Sequence, residues 1–454
     1  MIGFESELAR LETLLPMRIV GRVEELRGLT VLVSELPLPV GALVEVGPGR
    51  AAGEVVGFTR ELSCVMMLGG MTGVRPGDRV EGVSASPEGP VGAGLLGRVL
   101  NALGEPIDGG AAIWSEARRP LNPPPLGAMS RGRITQPLRT GVRAIDLMTP
   151  LGRGQRMGVF AGPGVGKSTL LGQIARGTEA DAVVIALIGE RGREVRDFVE
   201  HTLGEAGLQR ATVVVATGDE SPLMRLRAAK LACCQAEYLR ELGLDVLLVM
   251  DSVTRFAHAQ RQVGLSAGEP PATKGYTPSV FSELALLLER AGVVDGAAGA
   301  NGGSVTGLYT VLVEGDDMTE PIADASRGIL DGHVILSRKL AQRGHFPAID
   351  VLDSVSRVSN EISEPAGRAA AQMTRRLLAK HREVEELVQI GAYARGSDPE
   401  TDIAIEFKDA FDAVLTQGTD EMTPADEAQS MLLRVAMQAG ETLSERSGGD
   451  GRAS

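Results

Sequence analysis

The apolar run Met157-Gly-Val-Phe160 passes straight into Ala161-Gly-Pro-Gly-Val-Gly-Lys-Ser-Thr169, which opens a segment with helical spacing. Few features constrain a chain as tightly, because strand, glycine loop and helix must meet in one geometry. Glycines let successive backbone N–H groups converge on phosphate oxygens, and the helix N-terminus adds a favourable dipole. Gly162, Pro163, Gly164, Val165, Gly166, Lys167, Ser168 and Thr169 are therefore expected to cradle the phosphates of ATP. Lys167 reaches the β and γ phosphates, and Ser168 offers a hydroxyl to Mg2+. Ala161 stands where the strict pattern has glycine, but an alanine there needs only ordinary backbone angles. Pro163 removes one N–H, while Gly164 to Ser168 keep the amides nearest the phosphates.

Two more segments carry chemistry. Val246-Leu-Leu-Val-Met-Asp251 reads as a buried strand ending in a carboxylate, placed to hold the magnesium through water. Ile188-Gly-Glu-Arg-Gly-Arg-Glu194 also ends an apolar strand. Hydrolysis needs a group that orients and polarises a water in line with the γ-phosphate, and Glu190 is assigned that role.

Around these segments, apolar strand-like runs (Met157 to Phe160, Ala182 to Ile188, Thr212 to Ala216, Asp245 to Met250) alternate with helical stretches. Such alternation predicts an α/β domain with a parallel sheet covered by helices. At 454 residues the chain exceeds one compact core, and its texture predicts further units. Residues 1–16 form an amphipathic helix, with Ile2, Phe4, Leu8, Leu11 and Leu15 near helical spacing. Residues 17–84 hold close-spaced β-rich runs, such as Leu29 to Val33, Ala42 to Val46, Glu54 to Phe58 and Cys64 to Leu68, expected to close into a small barrel. Residues 85–150, rich in Gly and Pro, read as an extended connector. The α/β domain covers 151–360. A helical domain follows over 361–446, with Met373, Leu377, Leu378, Val384, Leu387 and Val388 at core-facing spacing, before a disordered tail, 447–454.

Composition narrows the function. A net charge of −13 argues against a general nucleic-acid surface. With 43% hydrophobic residues but no apolar run long enough to span a bilayer, and no secretory leader at Met1, the chain reads as cytoplasmic. Cys64, Cys233 and Cys234 lack metal-ligand or redox spacing and read as small buried residues.

Taken together, these residues resemble the catalytic subunits of the rotary-ATPase superfamily, from about Arg18 to about Gln417. The resemblance implies a RecA-like P-loop domain. It makes Gly189-Glu-Arg-Gly-Arg-Glu194 the catalytic-glutamate segment, with Arg191 among the catalytic residues. It also implies that Arg255, in Asp251-Ser-Val-Thr-Arg255, lies near the γ-phosphate. Gly344-His-Phe-Pro-Ala-Ile-Asp350 matches the stretch whose aromatic, here Phe346, stacks on adenine. Asp353-Ser-Val-Ser-Arg357 matches the segment that gives an arginine finger, Arg357, to the neighbouring subunit. A chain with both Glu190 and Arg357 suits a homohexamer in which every interface is active.

Longer blocks, including Gly268-Glu-Pro-Pro-Ala-Thr-Lys-Gly-Tyr-Thr-Pro-Ser-Val-Phe281, Val313-Glu-Gly-Asp-Asp317 and Leu330-Asp-Gly-His-Val-Ile-Leu-Ser-Arg338, are similar to type III export ATPases. Thr273-Lys-Gly-Tyr-Thr-Pro278, Phe256-Ala-His-Ala-Gln260 and Ile390-Gly-Ala-Tyr393 resemble the flagellar branch, with the virulence injectisome branch as alternative. This implies stator and stalk proteins, a membrane-embedded export gate, and export substrates with their chaperones as partners. It also implies work at the inner face of the cytoplasmic membrane, with the segment from Ile2 to Leu15 docking the stator. A Rho-type RNA translocase shares the core motifs but needs basic and aromatic residues for stacking on bases. Residues 18–83 contain one aromatic, Phe58, so no nucleic-acid partner is expected. A noncatalytic ring subunit is disfavoured by the intact Lys167, Glu190 and Asp251.

Overall fold

Short apolar runs between glycine and proline turns build the first unit. The structure, a computed structural model, describes residues 19–294, 302–313, 315 and 317–449. The expected helix over Ile2 to Leu15 lies outside them, as do 450–454 of the expected tail. Strands β1 (Val20–Arg27), β2 (Thr30–Ser34), β3 (Leu43–Val46), β4 (Ala51–Thr59), β5 (Leu62–Met67) and β6 (Arg79–Ser84) close an antiparallel barrel in the order β1-β2-β5-β4-β3-β6. Val23, Val31, Val33, Val44, Val55, Val65 and Val80 fill its interior. Such β-branched side chains suit a narrow closed sheet, and closure leaves no unpaired edge.

The second unit is a nine-stranded sheet. Its main strands are β7 (Arg98–Asn101), β8 (Arg156–Ala161), β9 (Ala182–Glu190), β10 (Ala211–Thr217), β11 (Asp245–Asp251), β12 (Ser304–Leu312), β13 (Gly332–Leu336) and β14 (Ile349–Ser356). The order is β14-β13-β8-β12-β11-β9-β10-β7, with Gly292–Val293 pairing to β12. All of these main strands run parallel except β14, which is antiparallel to β13. Every residue of β9 is buried, as expected of a strand covered on both faces. One face packs against helices α2 (Pro222–Glu241) and α3 (Val253–Ser266) in a core that also takes in Met66 and Leu68 of the barrel side. The other face packs on α1 (Lys167–Gly177) and on the carboxy-terminal helices α4 (Pro365–Gln389), α5 (Pro399–Leu415) and α6 (Ala425–Gly449) through Leu377, Phe411 and Leu432.

Three expectations are corrected. The segment 85–150 is not simply a connector. Arg98–Asn101 joins the sheet beside β10, Glu88–Val91 pairs with Ala117–Pro120, and Arg143–Met148 is helical. A four-residue strand between Gly97 and Gly104 carries no readable alternation, and its pairing partner lies far downstream. Leu387, expected in the core, is 45% exposed, because the distal part of α4 runs past the sheet. Helix α6 continues to Gly449, past the start expected for the tail. All three cysteines are free and buried. Among the described residues, no helix is long and apolar enough to cross a membrane.

Candidate active site

The parallel strands β8, β9 and β11 end at one edge of the sheet, where their register sets Ala161 beside Leu312 and Leu187 beside Asp251. Ligands of open parallel sheets bind at such carboxyl ends. The loop after β8 turns through Gly164 (φ 75°) and Gly166 (φ 89°), backbone conformations that favour glycine. Helix α1 then starts at Lys167 with no side-chain cap, which leaves its first amides for a phosphate.

Four charged groups meet at this edge. The Lys167 ammonium donates to Asp251 Oδ1 and lies 3.7 Å from Glu190 Oε1. The Thr310 hydroxyl on β12 donates to the same Asp251 oxygen at 2.7 Å. Arg255 on α3 pairs with Glu190 Oε2 at 3.2 Å. Both carboxylates are buried, Glu190 at 8% exposure and Asp251 at 3%, so each needs a cation. Burial and the nearby Asp251 charge push the Glu190 carboxyl up to about 7, against the pull of Lys167 and Arg255.

Gly189 makes this packing possible. The register of β9 against β10 shifts between Ile188 and Glu190, a bulge that re-aims the glutamate. Gly189 sits at φ 70°, and a Cβ there would lie 2.7 Å from Arg255 Cδ. Ser168 and Thr169 lie in the first turn of α1, so the loop, Ser168, Asp251, Glu190 and Arg255 share one edge. Arg191 does not join them. Its guanidinium is 83% exposed and pairs with Glu194 at 2.9 Å.

Phe346 is 44% exposed, and a Cβ on Gly166 would touch its ring at 3.8 Å. The ring forms one wall of a cavity of about 250 Å³ that Val165, Thr169, Gln173 and Gln417 also line. Gln417 N–H donates to the Phe346 carbonyl at 2.8 Å, which fixes this wall to the end of α5. Arg357 is elsewhere. It follows β14, where Ser356 pairs with Gly332 and, through it, Met157, while the loop end of the same ladder joins Ile349, Leu336 and Ala161. The two ends are separated by the strand from Met157 to Ala161, about 13 Å at ~3.3 Å per residue. Arg357 is exposed there, and a terminal guanidinium N–H donates to the Arg327 carbonyl at 3.4 Å.

Thr310 and Gln417 escaped the reading of the sequence. Thr310 carried a signal, a polar residue inside the otherwise apolar run from Leu308 to Leu312. Gln417 carried none, since only the fold brings the end of α5 to the loop.

Residues 141–356 match the family model for the nucleotide-binding domain of the ATP synthase alpha/beta family, and 363–434 match the T3SS EscN ATPase C-terminal domain. A flagellum-specific ATP synthase of Caulobacter vibrioides is 48% identical over 443 residues, covering 95% of this chain and 98% of its own. The chain belongs to the ATP synthase alpha/beta family. Within that family it is an ATPase of the group that holds the flagellar and type III secretion enzymes. A type 3 secretion system ATPase of Xanthomonas euvesicatoria is also 48% identical, over 96% of this chain and 97% of its own. The assembled ATPase EscN from the type III secretion system of enteropathogenic E. coli superposes with TM-score 0.86 at 40% identity, covering 92% of this chain and 100% of that one. EscN in complex with its central stalk EscO gives TM-score 0.84 at 39% identity, with the same coverage.

Proposed function

We propose that the chain hydrolyses MgATP at the interfaces of a homohexameric ring and so drives flagellar type III protein export. One observation carries the site assignment. Lys167, Asp251, Glu190 and Arg255 converge at the loop end of the sheet, while Arg357 follows the other end of the β14-β13-β8 ladder. An arginine in that place serves a neighbour's nucleotide in a head-to-tail ring. The solved EscN assembly and its stalk complex support a ring around a central stalk.

In this reading Gly162 to Thr169 bind the phosphates and Lys167 exchanges Asp251 for the β and γ oxygens. Glu190 holds and polarises the attacking water, while Arg255 keeps that carboxylate in place. The Ser168 hydroxyl and the buried Asp251 carboxylate are hard oxygen donors and fit magnesium, Asp251 through water. When bound, Mg2+ neutralises charge on the β and γ oxygens. Phe346 stacks on adenine. Removing that platform should raise KM for ATP about tenfold with kcat little changed, since stacking is worth ~1–3 kcal/mol per base. Steady-state kinetics of Phe346→Ala checks this, and an unchanged KM contradicts it.

The Glu190 carboxyl, held near 7, acts only when ionised. A protonated carboxyl has no charge with which to polarise water, so kcat/KM should fall as pH is lowered through about 7. A pH–rate profile flat across that range would contradict the assignment.

Overall identity does not separate the branches, since it is 48% to a flagellar and to a secretion enzyme. The segments Phe256 to Gln260, Thr273 to Pro278 and Ile390 to Tyr393 support the flagellar reading. Stator, stalk, export gate and chaperoned substrates are the partners it proposes, at the cytoplasmic face of the membrane. Co-purification from cells tests it: flagellar components are expected, and injectisome components would move the chain to the other branch. Turnover by the purified chain should not depend on RNA.

A further inference from the structure

The loop between β10 and α2 touches both the catalytic glutamate and the barrel. Gly218 N–H donates to the Glu190 carbonyl at 3.0 Å, and a Cβ on Gly218 would lie 3.1 Å from the Gly189 carbonyl oxygen. The two segments are thus seated backbone to backbone at the bulge. Glu220 closes the next turn by accepting from Thr217 N–H at 2.8 Å and from its hydroxyl at 3.2 Å. Ser221 then does two things at once. Its Oγ accepts the Met224 N–H at 3.4 Å, capping α2, and donates to the Leu68 carbonyl at 2.8 Å. Leu68 belongs to the barrel, where its own N–H donates to Ala52 at 2.9 Å.

A second pin lies further along α2. Arg227 pairs with Glu54 of β4 at 3.2 Å, both side chains being largely buried. Arg227 Nε is buried with no partner among the described residues. A buried ion pair left partly unsatisfied adds little stability, but removing one partner leaves the other an uncompensated buried charge. Leu223, Met224 and Leu226 fill the space between the pins with Met66 and Leu68. The barrel and the start of α2 are therefore tied together at two points, and the Glu190 carbonyl is joined to them through Gly218.

We propose that Ser221 is a positioning residue for hydrolysis: by tying the start of α2 to the barrel it sets, through Gly218, the height at which the β9 bulge presents the Glu190 carboxylate. The proposal rests on the reading of Glu190 as the group that polarises water. It makes the barrel a part of the catalytic machinery, so that a load on the barrel reaches the chemical step without touching the nucleotide.

The test uses the full chain with Ser221→Ala, Ser221→Thr and Ser221→Asp, each also in a Glu190→Gln background. Aspartate caps a helix but, ionised, has no proton to donate to Leu68, so it separates the cap from the pin. Ser221→Ala and Ser221→Asp should both lower kcat about tenfold with KM unchanged, since a misplacement of about 1 Å from a remote mutation can cost about 10²-fold. Ser221→Thr should restore most of the rate. In the Glu190→Gln background neither variant should cost anything further, because the group being positioned is gone. Wild-type kcat in Ser221→Asp would reduce Ser221 to a cap and overturn the proposal, as would an equal proportional loss in the Glu190→Gln background. Should the Ser221 variants melt below the assay temperature, the comparison is made at a lower temperature at which they are folded, and a wild-type kcat in Ser221→Asp there overturns the proposal. Near-normal turnover by Glu190→Gln alone overturns the reading of Glu190 and this proposal with it. A dead Glu190→Gln beside a fully active Ser221→Ala overturns only the proposal.

Discussion

Glu190→Gln is expected to bind MgATP within about twofold of the unaltered chain and to lose roughly 10²- to 10⁴-fold in steady-state hydrolysis, the range for removing a positioned general base. The amide keeps the shape and size of the carboxyl. It keeps a hydrogen-bond acceptor for Arg255, now 3.2 Å away. What it loses is the negative charge that the proposed mechanism sets beside the attacking water. In the proposed site, binding falls to the loop and Lys167 on other elements, so affinity and turnover should separate. Equilibrium nucleotide binding and phosphate release, measured side by side, check the prediction. Near-normal turnover would remove Glu190 from the mechanism.

Arg357→Ala should be more damaging still. An arginine set against the transferring phosphoryl group is worth about 10³ to 10⁵ in rate in related phosphoryl-transfer enzymes. Among the described residues of the subunit this side chain makes one long hydrogen bond, to a carbonyl at the surface. Its loss should therefore leave thermal stability nearly unchanged while abolishing turnover of the assembled ring. A large drop in melting temperature would mean that Arg357 is structural.

Much of this is legible in the amino-acid sequence alone. The strand, loop and helix around Lys167 are local in sequence, and each signal there, apolar run, glycines, helical spacing, points the same way. Asp251 and Glu190 were legible because each closes a fully apolar run, the mark of a buried parallel strand. The barrel was legible from close-spaced strands with glycine and proline between them. What escaped was non-local. Arg98–Asn101 is a strand only because β10 offers it an edge, and Gln417 reaches Phe346 only because α5 packs back on the sheet. Arg191 stands apart from Glu190 for a different reason: the bulge at Gly189 turns Glu190 inward and leaves its neighbour facing solvent.

The most direct test of a site shared between subunits mixes two inactive chains. Lys167→Ala lacks the cation for the phosphates but keeps Arg357, and Arg357→Ala keeps Lys167. Dissociated, mixed in equal amounts and reassembled, a head-to-tail ring should contain about one interface in four that joins an intact loop to an intact arginine. Hydrolysis, absent from either parent, is predicted to reappear in the mixture. If no hydrolysis returns while native mass spectrometry shows that mixed rings have formed, Arg357 does not act on a neighbour's nucleotide, and the shared site is contradicted.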